Sequence, residues 1–200
     1  MRTVVYGATR NLYEQMIASA NSVLQNGNVD EVILLIEDDQ FPTSLPANVR
    51  TINVSGQPWF DRNGPNTRKR WTYMVLLKAA LSKILPTYDK VLFLDCDTIV
   101  EHDISALWDI DLTGYYYAAV PQTDDGRDGR FTKGAYFNTG VLLCNIAELR
   151  ANEKDDEIIN ALNTLYRLSI GNCELLNCHL IHRIRFQLLT NRFCKRTVAE

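Results

Sequence analysis

Two aspartates end an apolar run near the middle of this 200-residue chain. Residues 91–94 have the length of a buried strand, and Asp95 and Asp97 follow directly, separated by Cys96. Ligands of open α/β sheets gather beyond the carboxyl ends of the strands, where two carboxylates are costly unless a positive charge compensates them. Hard oxygen ligands one residue apart on a turn suit Mn²⁺ or Mg²⁺. The spacing therefore indicates a divalent-cation site.

Two interpretations without a metal are open as well. Asp97 could cap a helix over residues 104–108, or an earlier turn, because aspartate is a favoured capping residue. Asp95 could pair with a buried arginine or lysine. The residue types at 95 and 97 do not choose between a cation site and these structural roles.

The composition describes one soluble globular domain. The chain is 46% hydrophobic and 22% charged with a net charge of −3, which provides a core and argues against nucleic acid as a partner. No apolar run approaches a membrane span and no signal peptide opens the chain, so we expect a cytoplasmic protein. The five cysteines form no Cys-x-x-Cys pair and are predicted to be reduced; Cys173, Cys178, His179 and His182 match no regular zinc spacing.

Short apolar strands alternate with helical patterns along the chain. This alternation predicts an α/β fold with a mostly parallel sheet flanked by helices. Strands are predicted over residues 3–7, 31–36, 49–54, 90–94, 115–120 and 137–145, and helices over 12–25 and 67–85. A polar, glycine-containing loop over 121–134 is either a mobile lid or a surface loop without function.

Three blocks in order, residues 93–100, 107–112 and 136–145, together resemble glycosyltransferase family 8. The resemblance covers residues 3 to 150 and is specific as a set, although each block alone is weak. It implies a GT-A fold, a UDP-glucose or UDP-galactose donor, Mn²⁺, and retention of the anomeric configuration. The segment after the first strand, with Ala8, Thr9, Arg10 and Tyr13, is similar to the one that holds uracil and ribose.

The same resemblance assigns roles around the two aspartates. Asp95 is expected to contact both ribose and metal, Asp97 to bind the metal, and Cys96 to lie with them in the donor site. Lys78 falls where the family has a basic residue near the donor phosphates and sugar. The alternative for Lys78 is a helix-surface lysine that pairs with nothing.

The candidate catalytic residues lie further along the chain. Asn138 falls where the family contacts the donor sugar, although it could instead bond neighbouring backbone at a strand end. Gln122 occupies a position where relatives often carry an acid facing the sugar. Cys173 stands in place of a glutamine expected nearest the reacting carbon.

The last part of the chain departs from the family pattern. No His-x-x-Gly-x-x-Lys-Pro-Trp segment follows, so the family's third metal ligand and a diphosphate-binding lysine are missing, and a truncated or frameshifted copy is one explanation. From residue 179 onward five basic residues face a single acid, Glu200. We therefore predict a catalytic domain over 1–170 and a divergent basic tail over 171–200, which could contact an acidic surface or anionic membrane.

Three functions from different classes follow from these observations. The favoured one is a retaining hexosyltransferase that transfers glucose or galactose to an unknown sugar, lipid-linked glycan or protein acceptor. A non-catalytic nucleotide-sugar binder is the second, and a homodimer is open for either. The third, a phosphatase of the haloacid dehalogenase type, would use Asp95 as nucleophile and Asp97 as acid/base, but it expects the motif on the first strand.

Overall fold

A computed structural model describes residues 1–67, 72–122, 136–164 and 186–188. Its seven strands form one sheet in the order β3-β2-β1-β4-β6-β5-β7. The strands are β1 (Thr3–Gly7), β2 (Glu31–Ile36), β3 (Val49–Asn53), β4 (Lys90–Leu94), β5 (Tyr117–Gln122), β6 (Tyr136–Asn145) and β7 (Phe186–Leu188). All neighbouring pairs are parallel except the two that include β6. The predicted mostly parallel sheet is confirmed.

Helices cover the sheet within the described ranges. The α-helices are α1 (Tyr13–Asn26), α2 (Leu81–Ile84), α3 (Ile146–Ala151) and α4 (Lys154–Thr164). Tighter 3₁₀ helices span Arg10–Leu12, Tyr73–Ala80 and Ser105–Asp109. No helix in these ranges has both the length and the apolar character needed to cross a membrane.

The central strands β1, β2 and β4 are mostly apolar because both faces of the sheet are buried there. In β1, Val5 joins a core formed with the 3₁₀ helix Tyr73–Ala80, α2, α3 and α4. Its neighbours Val4 and Tyr6 point to the opposite face and join a second core with α1. Each fully buried aliphatic side chain contributes roughly 2 kcal/mol, so the two cores together fix the strands from both sides.

Most predicted boundaries lie within two residues of the observed ones, and three strands, 3–7, 31–36 and 90–94, match in full. The predicted long helix over 67–85 is wrong at Thr67 and Thr72, and residues 68–71 lie outside the described residues. Thr67 is not helical, and its N–H and hydroxyl both donate to the Gly64 carbonyl. The helix begins only after Thr72, whose side chain accepts from the Met74 N–H.

The predicted loop over 121–134 begins too early. Pro121 and Gln122 belong to β5, where they pair with Phe137 and Tyr136 of β6. Proline is tolerated in a strand where its missing N–H is not needed by a neighbour. Residues 123–134, and with them the choice between lid and surface loop, lie outside the described residues.

β6 is the element that sets the geometry near the aspartates. It runs antiparallel to β4, so its first residues lie beside the end of β4, with Leu94 paired to Val141. Its pairing with β5 is irregular, because Ala119 faces Leu142 whereas the next residue, Val120, faces Asn138. The register with β5 thus skips residues 139–141, and such irregularities redirect groups of the bulged strand.

Candidate active site

Asp95 is held at three points at the end of β4. Its N–H donates to the Gly140 carbonyl at 2.9 Å, and its own carbonyl accepts from the Thr98 hydroxyl at 2.8 Å. Its carboxylate accepts from Lys78 Nζ at 2.7 Å. The side chain nevertheless remains 34% exposed, so one part of it faces the crevice beyond the sheet.

Lys78 is buried, with a side chain only 1% exposed. It extends from the 3₁₀ helix Tyr73–Ala80, lies 4.8 Å from the centre of the Phe93 ring, and donates to Asp95 and to the Thr139 carbonyl at 2.9 Å. The alternative of a surface lysine without a partner is therefore wrong, and the alternative that Asp95 pairs with a buried lysine is confirmed. Lys78 thus places a positive charge directly against the Asp95 carboxylate.

The carbonyl that reaches Lys78 comes from the irregular part of β6. Thr139 lies in the stretch that the register with β5 skips, and its carbonyl accepts from the lysine. A buried ammonium needs several acceptors to offset its lost hydration. The bulge provides one of them from the main chain, and Asp95 provides another.

Asp97 lies two residues further on and is exposed. Within the described part of the chain no hydrogen bond or ion pair engages its carboxylate. It does not cap the helix Ser105–Asp109, which has Ile104 at its cap position, while Asp103 accepts from the Ser105 N–H at 2.7 Å. The capping interpretation of Asp97 is wrong, and its carboxylate faces solvent next to a fixed neighbour.

Cys96, between the two aspartates, lies on the side toward β1. Its thiol is 3.8 Å from the Gly7 carbonyl. Burial, followed by the nearby Asp95 and Asp97 carboxylates, raises the pKa of this thiol to about 12. Cys96 is therefore protonated at neutral pH, which makes its side chain a spacer between the two aspartates instead of a nucleophile.

The segment after β1 reaches the same edge of the sheet, because β1 and β4 are parallel neighbours. Ala8 is buried, Thr9 precedes the short 3₁₀ helix Arg10–Leu12, and Tyr13 begins α1. The Tyr13 hydroxyl donates to Asp38 at 2.9 Å, and Arg10 forms an exposed ion pair with Asp38 at 3.6 Å. The structure thus brings these predicted donor-binding residues next to the Asp95 turn.

A second acidic cluster lies beyond the end of β2. Glu37 accepts from the Tyr73 hydroxyl at 2.9 Å and from Arg62 at 2.6 Å, and the Arg62 guanidinium lies 5.0 Å from the centre of the Tyr73 ring. Burial and the Glu37 carboxylate raise the pKa of Tyr73. No role was predicted for these residues from the sequence, although acids directly after a second buried strand are a signal for a site at this edge.

The remaining predicted residues are placed by the backbone alone or not at all. Gln122 ends β5, and Asn138 lies in β6 two residues before Gly140, the residue whose carbonyl binds Asp95. Cys173, His179 and His182 lie outside the described residues. The roles of Asn138, Gln122 and Cys173 stay predictions.

Two aspartates can supply part of a cation's ligands here. Throughout residues 1–67, 72–122, 136–164 and 186–188, no three histidine, cysteine or acidic side chains come close enough together to hold a metal ion. The pair of hard oxygen donors at 95 and 97, one exposed and one partly exposed, fits Mn²⁺ or Mg²⁺, which usually keep water and substrate phosphate oxygens as further ligands. The residues fit a metal that is shared with a bound diphosphate.

The architecture is that of GT-A glycosyltransferases. The apo form of the glycosyltransferase GlyE of Streptococcus pneumoniae superposes with a TM-score of 0.67 at 19% identity, over 95% of this chain and 45% of that one. The galactosyltransferase LgtC, solved in complex with donor and acceptor sugar analogues, gives a TM-score of 0.65 at 21% identity, over 87% of this chain and 69% of that one. At such identities the likeness shows the fold.

The sequence comparisons identify the family. The model of glycosyl transferase family 8 matches residues 3–180. General stress protein A of Bacillus subtilis is 34% identical over 80 residues, which are 37% of this chain and 27% of that protein. A putative glycosyltransferase of Haemophilus influenzae is 26% identical over 140 residues, 66% of this chain and 42% of its own length. The chain belongs to glycosyltransferase family 8 and spans less than half the length of these two relatives.

Proposed function

We propose that this chain is a retaining hexosyltransferase that takes glucose or galactose from a UDP-sugar in a Mn²⁺-dependent reaction. Family membership supports glycosyl transfer as the reaction class. The observation that carries the proposal is the exposed Asp97 carboxylate, without a partner among the described residues, beside the fixed pair of Asp95 and Lys78. This arrangement has a place for a cation and nothing in the described residues that fills it.

Asp95 and Asp97 are the proposed metal ligands. When bound, the cation would act as a Lewis acid that stabilises the negative charge developing on the leaving diphosphate. Lys78 holds Asp95 in one orientation and adds positive charge at the side of the site nearest the sheet. The carboxylates alone would repel the diphosphate, so the proposed function requires the metal.

The donor's nucleoside is proposed to lie against the segment after β1, with Ala8, Thr9, Arg10 and Tyr13. Two contacts fix the Tyr13 ring, which stacks on Phe41 with centroids 5.0 Å apart and bonds to Asp38. Such prior fixing lowers the entropy lost when a ligand binds. Asn138, Gln122 and Cys173 are proposed to lie near the sugar, and Cys96 to line the site.

The acceptor class is a sugar, a lipid-linked glycan or a protein. We keep the division into a catalytic domain over 1–170 and a basic tail over 171–200 as a proposal, with β7 of that tail paired to β5. We also propose that the tail contacts an anionic membrane, that the chain forms a homodimer, and that its location is cytoplasmic.

The test is incubation of the whole chain with Mn²⁺ and radiolabelled UDP-glucose or UDP-galactose, with and without EDTA. We expect slow Mn²⁺-dependent release of free hexose in the absence of acceptor, because water then replaces the acceptor. The matched reaction with p-nitrophenyl phosphate should release no phosphate.

The outcomes separate the alternatives. Metal-dependent binding of UDP-sugar without any turnover would favour the non-catalytic binder. Phosphate release would favour the phosphatase, against which the motif's position on β4, and not on the first strand, already stands. If the chain neither binds nor turns over UDP-sugar, the proposed function is overturned.

A further inference from the structure

A row of polar side chains on α1 faces the segment that follows Asp97. Ser19, Ser22 and Asn26 are spaced three and four residues apart and so lie on one side of the helix. We call these three residues the α1 polar row. It runs along residues 98–100, immediately beyond the proposed metal ligands.

The α1 polar row holds that segment by side chains at two places. Ser19 Oγ lies 2.9 Å from the Thr98 hydroxyl, which in turn donates to the Asp95 carbonyl at 2.8 Å. Two residues on, the Val100 N–H donates to Ser22 Oγ at 2.9 Å, and the Val100 carbonyl accepts from the Asn26 amide at 2.7 Å. The backbone after the aspartates is therefore anchored to α1.

A buried tyrosine extends this network into the core. The Tyr6 hydroxyl lies 2.9 Å from Ser19 Oγ, and both residues are fully buried. Around them the second core is otherwise apolar, with Met16, Ala20 and Leu92 among its members. Hydroxyl groups buried in such surroundings cost free energy unless they are hydrogen-bonded. A phenylalanine at position 6 and an alanine at position 19 would fill the same space without that cost.

The network acts on the turn that carries both acids. Two negative side chains one residue apart repel each other, and a turn that is free to open would separate them. The Thr98 bond closes the turn at the Asp95 carbonyl, and the Gly140 carbonyl fixes the Asp95 N–H from the other side. Asp97 lies between these two anchor points and is left exposed.

We propose that Thr98 and the α1 polar row, with Tyr6 behind Ser19, are positioning residues that hold Asp95 and Asp97 at the spacing needed for the cation and the diphosphate. This inference rests on the proposed function. The residues act through the turn and contact neither substrate nor metal. Holding ligands in place before binding raises affinity because less order must be gained on binding.

The test compares Thr98→Val with Thr98→Ser in the whole chain. Valine keeps the shape and removes the hydroxyl, whereas serine keeps the hydroxyl. We expect Thr98→Val to raise the Mn²⁺ concentration needed for half-maximal UDP binding about tenfold, as is typical when a supporting bond to a metal ligand is lost. Thr98→Ser should restore affinity, and calorimetry at varied Mn²⁺ measures both.

A double variant tests whether Ser19 acts on the turn through Thr98. Ser19→Ala should weaken Mn²⁺-dependent binding less than Thr98→Val, because Ser19 acts on the turn only through Thr98. In Thr98→Val the Ser19→Ala change should then have no additional effect. Additive effects of the two changes would contradict an action of Ser19 through Thr98.

Ser82→Ala is the matched control. Ser82 is also a buried hydroxyl, but it bonds Asp155 in a contact between α2 and α4 that does not include the turn over residues 95–98. We expect this variant to lower the melting temperature and leave Mn²⁺ affinity unchanged. Equal loss of affinity in Ser82→Ala and Thr98→Val would show a general effect of destabilisation and overturn the inference.

Failure of the two proposals can be told apart. A wild-type chain that binds UDP with Mn²⁺, together with a Thr98→Val variant of the same affinity, overturns the positioning role alone. A wild-type chain that binds no UDP overturns the proposed function and this inference with it.

Discussion

Two acidic pairs lie at the same edge of the sheet, on either side of β1, and the fold treats them differently. At the end of β2, Glu37 is bonded by Tyr73 and Arg62, and the adjacent Asp38 is bonded by Tyr13 and paired with Arg10. At the end of β4, Lys78 binds Asp95, whereas no described residue binds the Asp97 carboxylate.

The comparison shows that strand-end position alone does not make an acid a ligand. Both pairs follow apolar strands, yet Glu37 and Asp38 after β2 each have a phenol and a guanidinium, which compensate the charges of this pair within the protein. Among the described residues, Lys78 binds Asp95, and no cation pairs with the exposed Asp97 carboxylate. This difference is the reason why a cation is proposed at the β4 pair and not at the β2 pair.

The largest expected effect is that of Asp97→Asn. The change removes one of two proposed ligands and should abolish Mn²⁺-dependent UDP binding, a loss of at least about 100-fold given that even supporting residues cost 10 to 100-fold. The melting temperature should stay the same, because Asp97 is exposed. Calorimetry of UDP with Mn²⁺ measures the affinity.

Glu101→Gln is the control for that loss. Glu101 is also exposed and four residues away, so the variant has the same change in net charge without a proposed ligand. Its affinity should equal that of the wild type. Unchanged Mn²⁺-dependent UDP affinity in Asp97→Asn would mean that the acids after β4 bind no cation, like those after β2, and would contradict the comparison.

Lys78→Met should have the next largest effect, on stability. It removes the bonds to Asp95 and Thr139 and leaves a carboxylate without its cation. Breaking a buried pair on one side costs about 3 kcal/mol, taken at the low end because Asp95 is partly exposed. Urea unfolding measures the loss of free energy.

The double variant Lys78→Met with Asp95→Asn sharpens this result. Removing the uncompensated charge should restore part of the lost stability. Lys154→Met, at an exposed ion pair with Glu157, should cost less than about 1 kcal/mol. A Lys78→Met variant as stable as Lys154→Met would mean that Lys78 is not needed to balance the β4 acids.

Tyr73→Phe tests the β2 side and should have a smaller effect. The variant loses one hydrogen bond to Glu37, which Arg62 still binds, so unfolding should be easier by about 1 kcal/mol. Mn²⁺-dependent UDP binding should be unchanged. Tyr115→Phe, at an exposed tyrosine, should change neither quantity. A loss of metal affinity in Tyr73→Phe would show that the two acidic pairs are coupled.

The smallest effect concerns Asp103, an exposed acid that is satisfied within the protein. Hydrogen bonds from Ser105 and Asn28 lower its pKa from 3.8 to about 2. Because the pKa is lower in the folded state, these bonds stabilise the protein above about pH 4, and their contribution is lost as the pH falls toward 2. Asp103→Asn should therefore lower the melting temperature at pH 6 and not at pH 2. An equal difference at both pH values would contradict the assignment.

The sequence predicted the strands well because their apolar runs are buried on both faces, and such runs have few alternatives. It also predicted which turn bears the acids. The start of the helix before β4 was misplaced because Thr72 begins it by a local side-chain bond, which a hydrophobic pattern does not reveal.

The partners of the acids were harder to predict. Lys78 and Asp95 are 17 residues apart, and Thr139 is 61 residues from Lys78, so only the tertiary fold brings them together. Ser19, Ser22 and Asn26 did have a detectable signal, a helical spacing of polar residues on a helix that is otherwise apolar toward the core. Their target, residues 98–100, had none.

The irregular pairing of β6 has a consequence for mutational scanning. The oxygen that Thr139 offers to Lys78 belongs to the peptide backbone, so exchanging the side chain at 139 does not remove it. Because Thr139 is itself buried, a scan of single substitutions at this position reports on the packing of the side chain and not on the carbonyl that Lys78 uses. An insertion or deletion that restores regular pairing with β5 would be needed to take the Thr139 carbonyl away from Lys78.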